Sequence, residues 1–128
     1  SSAASDVYKR QPKSTDEEKA ARSAAIQEAT RFAALVPMQV ARNACELMEI
    51  IADVARLGNQ NAITDACVAM MAARSAVLGA LLNVRINLGS LKDKTFVDEL
   101  KREADHLEQL ACMREKELLE VVNQELNQ

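Results

Sequence analysis

The side chains able to do chemistry cluster at the two ends of one stretch, Gly58–Gly89, GNQNAITDACVAMMAARSAVLGALLNVRINLG. Its far end carries Asn83, Arg85 and Asn87, and its start carries Asn59, Asn61, Thr64 and Asp65. Amides donate and accept hydrogen bonds, and a guanidinium binds carboxylate or phosphate. These residue types orient a ligand and recognise an anion; they do not make a nucleophile. Asn83 and Asn87 are four apart and share a helical face, so both amides can point into one cleft. An unpaired buried amide costs roughly 1–3 kcal/mol, so each needs a partner in the next loop, in a symmetry mate or in a ligand. Arg74 and Arg85 are three turns apart on one face, and each needs an anion, either a protein carboxylate or a ligand's. Asp65 and Asn83 stand ~27 Å apart along a straight helix. The two groups therefore serve different roles, or a dimer brings opposite ends together.

Usual enzyme signatures are absent: no phosphate-binding glycine loop, no HExxH, no G-x-S-x-G. His106, the only histidine, lies off the apolar stripe of its helix with no second base or nucleophile beside it, and reads as a surface residue. Cys45, Cys67 and Cys112 lack C-x-x-C spacing, which excludes a disulfide framework or a zinc site and fits free thiols in a reducing cytoplasm. No metal is implied.

The element that must position these groups is the stretch itself. It is apolar nearly all round, with Thr64 as its expected N-cap, Asp65 in the first turn and Gly89 as its stop. Such a helix is buried in a core or in a membrane. Arg74 near its middle costs roughly 2.5–3.5 kcal/mol on insertion scales, and with one Tyr and no Trp there is no aromatic belt, so we read it as a central core helix. Before it, Thr15 and Glu18 have capping-box spacing and open a helix expected over about Asp16–Leu35. Its apolar face is Ala21, Ala25, Ile26, Ala29, Phe32 and Ala33; Lys19, Arg22 and Arg31 are solvated. Pro37 is expected to end that helix and begin another, about Met38–Leu57, with a stripe of Val40, Ala44, Leu47, Ile50, Ile51, Val54 and Leu57. The last helix starts near Asp93 and buries Phe96, Leu100, Ala104, Leu107, Ala111, Leu118, Val121 and Val122. The expected fold is all-α, an antiparallel bundle of about four long helices.

Residues 1–11, SSAASDVYKRQ, carry no helical period. They read as a translated adapter foreign to the native protein, or as a disordered terminus, and the helical domain is expected over 12–128. A net charge of −3 argues against a nucleic-acid surface and against an anionic membrane as partner.

From Pro12 onward the chain resembles the formiminotransferase-cyclodeaminase family, in its cyclodeaminase domain, which includes the bacterial methenyltetrahydrofolate cyclohydrolases. The segments that carry the resemblance are PKSTDEEKAARSAAIQEA (Pro12–Ala29), Val36-Pro37, GNQNAITD (Gly58–Asp65) and NVRIN (Asn83–Asn87). Thr64 stands where the family has Ser, which keeps the capping chemistry. The resemblance implies a tetrahydrofolate derivative as substrate, no separate cofactor and a homodimer or higher homo-oligomer. It implies cyclodeaminase or cyclohydrolase chemistry, both passing through a tetrahedral carbon joined to N5 and N10. Family members carry upstream helices and an Asp implicated as general acid/base where SSAASDVYKRQ stands here; Asp6 lies outside that motif and does not inherit the role. The chain is thus expected to be an N-terminally truncated domain with no catalytic residue of its own. Asn83 and Asn87 are expected to orient the pterin or the intermediate, Arg85 to meet the glutamate tail, and Asn59, Asn61 and Asp65 to form a second substrate-binding group. The competing expectation, from a different class, is a non-catalytic helical bundle that acts through protein–protein contact.

Overall fold

A computed structural model describes residues 2–128, with side chains from Asp6 onward. All four α-helices follow in chain order: α1 (Ser2–Lys9), α2 (Asp16–Leu57), α3 (Ile63–Leu88) and α4 (Lys94–Leu126), with a 3-10 turn over Gln60–Ala62 before α3. The fold is all-α, as the periodicity predicts. The first segment, which shows no helical period, is nevertheless helical in α1, and Arg22 Nε donates to the Lys9 carbonyl at 3.3 Å to tie its end to α2.

α2 opens on the expected capping box. Thr15 Oγ1 accepts from the Glu18 amide at 3.1 Å, while the Glu18 carboxylate takes the amides of Ser14 and Thr15. These donors, the Ser14 hydroxyl foremost, hold the Glu18 carboxyl below its ordinary value. Contrary to expectation, Pro37 does not split the helix, and α2 runs unbroken for 42 residues. Gly58 then closes it, its amide donating to Val54 O at 2.7 Å. A Cβ on residue 58 would stand 2.5 Å from that oxygen, so only glycine fits this close approach.

Two local details differ at α3. Its N-cap position is Ala62, with no side-chain cap, and Thr64 lies within the first turn beside Asp65. Asn59 caps the 3-10 turn instead, accepting from the Asn61 amide at 2.9 Å. Gly89 ends α3 in a right-handed conformation, not the left-handed one common at glycine stops. α4 starts where expected, and Asp93 caps it, accepting from the Phe96 amide at 3.1 Å. Arg31, expected in solvent, lies over the Phe96 ring at 4.3 Å and reaches Asp93 at 3.5 Å.

α3 runs antiparallel to both α2 and α4, and its inner seam packs on each. The buried positions of α3 include Cys67, Met70, Ala73, Val77, Leu81, Val84 and Leu88, at spacings of three and four. α2 meets them with Ala34, Met38, Ala41, Cys45 and Met48. Small residues let the two backbones approach, and the flexible thioethers fill the gaps. α4 contributes the expected seam, Phe96 to Val122, except that Val121 is exposed.

The expected stripe on α2 is not the buried one. Phe32, Val40, Leu47, Ile50, Val54 and Leu57 are exposed, and Val36 with them. α2 is apolar on two faces, and the one with small and sulfur-bearing side chains packs more closely on α3. The outer face, Val36, Val40, Asn43, Leu47, Ile50, Val54 and Leu57, alternates by four and three. α3 likewise is not wrapped on all sides: Val68, Met71, Leu82 and Ile86 are exposed. The segment Gln60–Leu88 is long and apolar enough to cross a membrane, with 39% of its window buried in this fold.

α4 is tied to its neighbours by arginines. Arg42 of α2 makes a two-pronged bond to Glu103 at 2.5 and 2.7 Å, and Arg114 of α4 reaches Glu49 at 2.6 Å. Arg74 of α3 meets Glu115 at 2.6 Å, and Arg85 meets Asp105 and Glu108 at 3.0 and 2.5 Å. The Arg42 guanidinium holds the Glu103 carboxyl below its ordinary 4.5. A lowered folded-state pKa gives stability that is complete above the unfolded value and is lost as the pH falls through the folded one. Glu103→Gln is therefore expected to flatten the loss of urea stability as the pH falls below the ordinary 4.5, leaving other slopes intact. An unchanged slope in the variant would contradict the pairing.

Burial pushes the Cys45 and Cys67 thiols up, whereas Cys112 is exposed. A thiol reagent at neutral pH is expected to label Cys112 at once and the other two only on unfolding. Equal rates at all three would show that the seam between α2 and α3 opens.

Candidate functional site

Where the outer face of α2 meets α3, a groove of about 1000 Å³ opens. Phe32, Val36, Pro37 and Val40 of α2 form one wall, and Ala76, Ala80, Asn83 and Asn87 of α3 form the other. Tyr8 of α1, Thr30 and Ser90 complete the lining. The walls are apolar, and the polar groups on them are few: two amides, two hydroxyls and a phenol. That composition suits a flat ligand with an apolar body and a hydrogen-bonding edge.

The pairing of Asn83 with Asn87, expected from their spacing, is realised: both line this groove. Asn83 is exposed, its Nδ2 donating to Gly79 O at 3.4 Å. Asn87 is half-buried, and its Nδ2 donates to Asn83 O at 2.8 Å and across to Ala33 O of α2 at 3.3 Å. Gln27 of α2 bridges to the α3–α4 loop, donating to Ser90 O at 3.0 Å and accepting from Lys92 N at 2.9 Å.

The other expected residues lie elsewhere. Arg85 points to α4, where Glu108, first, and Asp105 raise its pKa. Both carboxylates are the anions its position calls for, and they come from the protein. Arg74 is likewise held by Glu115. Asn59, Asn61 and Asp65 stand at the opposite end of α3, with Asn59 and Asn61 bonded to each other in the turn. One copy of the chain does not bring them to the groove. His106 is exposed on α4.

A second hollow of about 530 Å³ sits near that opposite end, between α2 and the C-terminal half of α4. Apart from Glu125, its charges are engaged with one another: Arg56 with Asp53, and Arg114 with Glu49 and Glu117. Among the described residues, no group of three or more His, Cys, Asp or Glu side chains is placed to hold a metal ion.

Phe32, Val36, Pro37, Thr30 and Tyr8 are groove residues that the sequence reading did not single out as a site. The one signal was Val36-Pro37 as a matching segment. Phe32 was placed on a core face, whereas it is 67% exposed over the groove.

Comparison with known proteins bears on the family of this chain. The family model described as formiminotransferase-cyclodeaminase matches residues 3–106. The methenyltetrahydrofolate cyclohydrolase of Methylorubrum extorquens is 40% identical over 116 residues, covering 91% of this chain and 56% of the relative. The formimidoyltransferase-cyclodeaminase of Rattus norvegicus is 35% identical over 100 residues, covering 78% of this chain and 18% of that protein. The crystal structure of formiminotetrahydrofolate cyclodeaminase from Thermotoga maritima superposes with a TM-score of 0.73 at 28% identity, covering 94% of this chain and 59% of that one. The chain thus spans little more than half of the cyclohydrolase and of the solved cyclodeaminase. With the family model matching most of its length and a relative 40% identical over 91% of it, the chain belongs to the formiminotransferase-cyclodeaminase family.

Proposed function

We propose that this chain is the part of a cytosolic folate enzyme that binds and orients a tetrahydrofolate derivative for cyclodeaminase or cyclohydrolase chemistry. The observation that carries the reading is the pair of amides, Asn83 and Asn87, sharing one apolar groove with the exposed ring of Phe32. A pterin offers a flat ring for Phe32 and an amide-like edge for Asn83. The chemistry joins or opens a one-carbon bridge between two nitrogens of one molecule. Holding those nitrogens against the carbon removes much of the entropic barrier, and this is the work such a groove does. Proton transfer needs an acid or base within hydrogen-bond reach, and none lines the groove except the Tyr8 phenol. We therefore propose that the 128-residue chain alone binds folate without turnover.

The family's chemistry has a direct readout. 5,10-Methenyltetrahydrofolate absorbs in the near ultraviolet, so its binding and its consumption are separable in one cuvette. Asn83→Ala is expected to weaken its binding about tenfold while leaving the unfolding midpoint unchanged. Equal affinity in the variant would remove the groove as the site. No folate binding by the chain or by a longer version would leave the second reading, a helical bundle that acts by contact, for which the exposed faces of α2 and α3 speak.

The partner we propose for α3 is a second copy. Val68, Ala72, Ser75, Gly79, Leu82 and Ile86 lie along one uncharged face, and a Cβ on Gly79 would meet nothing within 4 Å. About a two-fold axis at residue 77, this face is self-complementary: Val68 lies opposite Ile86, Ala72 opposite Leu82, and Ser75 opposite Gly79. Such antiparallel pairing carries Asn61 and Asp65 of one copy to the end of α3 that holds Asn83 and Asn87 in the other.

A further inference from the structure

Pro37 leaves a gap in α2. It has no N–H, so the Ala33 carbonyl, four residues back, lacks its intrahelical donor. Ala33 is half-buried, where an orphan carbonyl is costly. The donor comes instead from α3: Asn87 Nδ2 reaches Ala33 O at 3.3 Å. The same nitrogen is steered by its bond to Asn83 O at 2.8 Å, one turn back on its own helix.

We propose that Pro37 and Asn87 form one device, in which a side-chain amide from α3 replaces the backbone donor that the proline removes. The device locks the two walls of the groove at one spacing. Gln27 reinforces it a few turns earlier on α2, clamping the backbone at Ser90 and Lys92 with both ends of its amide. Proline at this position also keeps the groove wall free of a competing N–H. Asn87 is thereby a positioning residue, since its donor nitrogen is engaged twice, and Asn83 is left as the amide that meets the ligand. This division of labour rests on the proposed folate groove; the bond across the proline gap does not.

The test is a double-mutant cycle read by urea unfolding of the full chain without ligand. Asn87→Ala is expected to raise the unfolding equilibrium constant about five- to tenfold in the parent. In a Pro37→Ala background, the new N–H at residue 37 can serve Ala33, and the same substitution is expected to change the constant less than about twofold. Asn87→Leu, which keeps much of the shape, loses the donor and adds no charge, should behave as the alanine variant does in both backgrounds. Equal cost of Asn87→Ala in the two backgrounds would overturn the device, as would a parent that tolerates the change. If Asn87→Ala alone does not fold, folding restored by Pro37→Ala supports the device, and failure to restore it counts against it. None of these readouts involves folate, so they stand apart from the Asn83→Ala binding test.

Discussion

Replacing Leu81 by alanine is expected to cost the chain about 2–5 kcal/mol, whereas the same change at Leu82 costs the isolated chain next to nothing. The two leucines are neighbours on α3, but Leu81 has no exposed surface and Leu82 is 67% exposed. Leu81 sits in the inner seam, flanked by Val77 and Val84, which are equally buried. Removing its side chain leaves a void between helices already held close by alanines, so the walls have little room to collapse. Total stability of a domain is ordinarily about 5–15 kcal/mol, so Leu81→Ala takes a large share. Urea unfolding of both variants checks this, provided the slope with denaturant stays constant so that midpoints compare directly. Similar losses at the two positions would mean that the inner and outer faces of α3 are wrongly assigned.

The second large effect concerns association. In the proposed dimer, Leu82→Asp combined with Ile86→Asp is expected to raise the dissociation constant by about a hundredfold or more, with the monomer's unfolding midpoint unchanged. Val68, Met71, Leu82 and Ile86 of α3 stand exposed, and Phe32, Val36 and Val40 extend the apolar surface across the groove. A monomer seldom leaves so much contiguous apolar surface open, and a stable interface takes ~800 Å² from each partner. Two carboxylates per copy on that face, at positions 82 and 86, would be buried without partners. Sedimentation velocity across a concentration series reads the constant. A dimer that survives both aspartates would move the interface to the outer face of α2, where Leu47, Ile50 and Val54 stand exposed at heptad spacing.

What could be read from the residues alone follows from where each determinant lies. The Thr15 box, the start of α4 near Asp93 and the buried side of α4, Val121 excepted, depend on neighbours a turn or two away, and they stand as expected. Pro37 was misjudged because the donor that rescues Ala33 comes from Asn87, some fifty positions later. The α2 stripe was misjudged because that helix is apolar on two faces, and periodicity does not say which one α3 covers. Arg74 and Arg85 announced a need for anions but not their source; the fold supplies Glu115, Glu108 and Asp105. At the candidate site, spacing alone joined Asn83 to Asn87. Phe32, Pro37 and Tyr8 come from other helices, and only the packing of α2 on α3 brings them to the same groove.

The arginines along α4 act together as a vernier. Its apolar seam repeats at nearly every turn, Leu100, Ala104, Leu107, Ala111, so hydrophobic contact alone would tolerate a slip of one turn, ~5.4 Å. Each ion pair is partly hydrated and adds little by itself. Yet Glu103, Asp105, Glu108, Arg114 and Glu115 must all meet their mates at once, and any slippage parts every one of them. Their shared contribution is alignment: a helix that greasy packing would leave free to slide is clicked into a single notch.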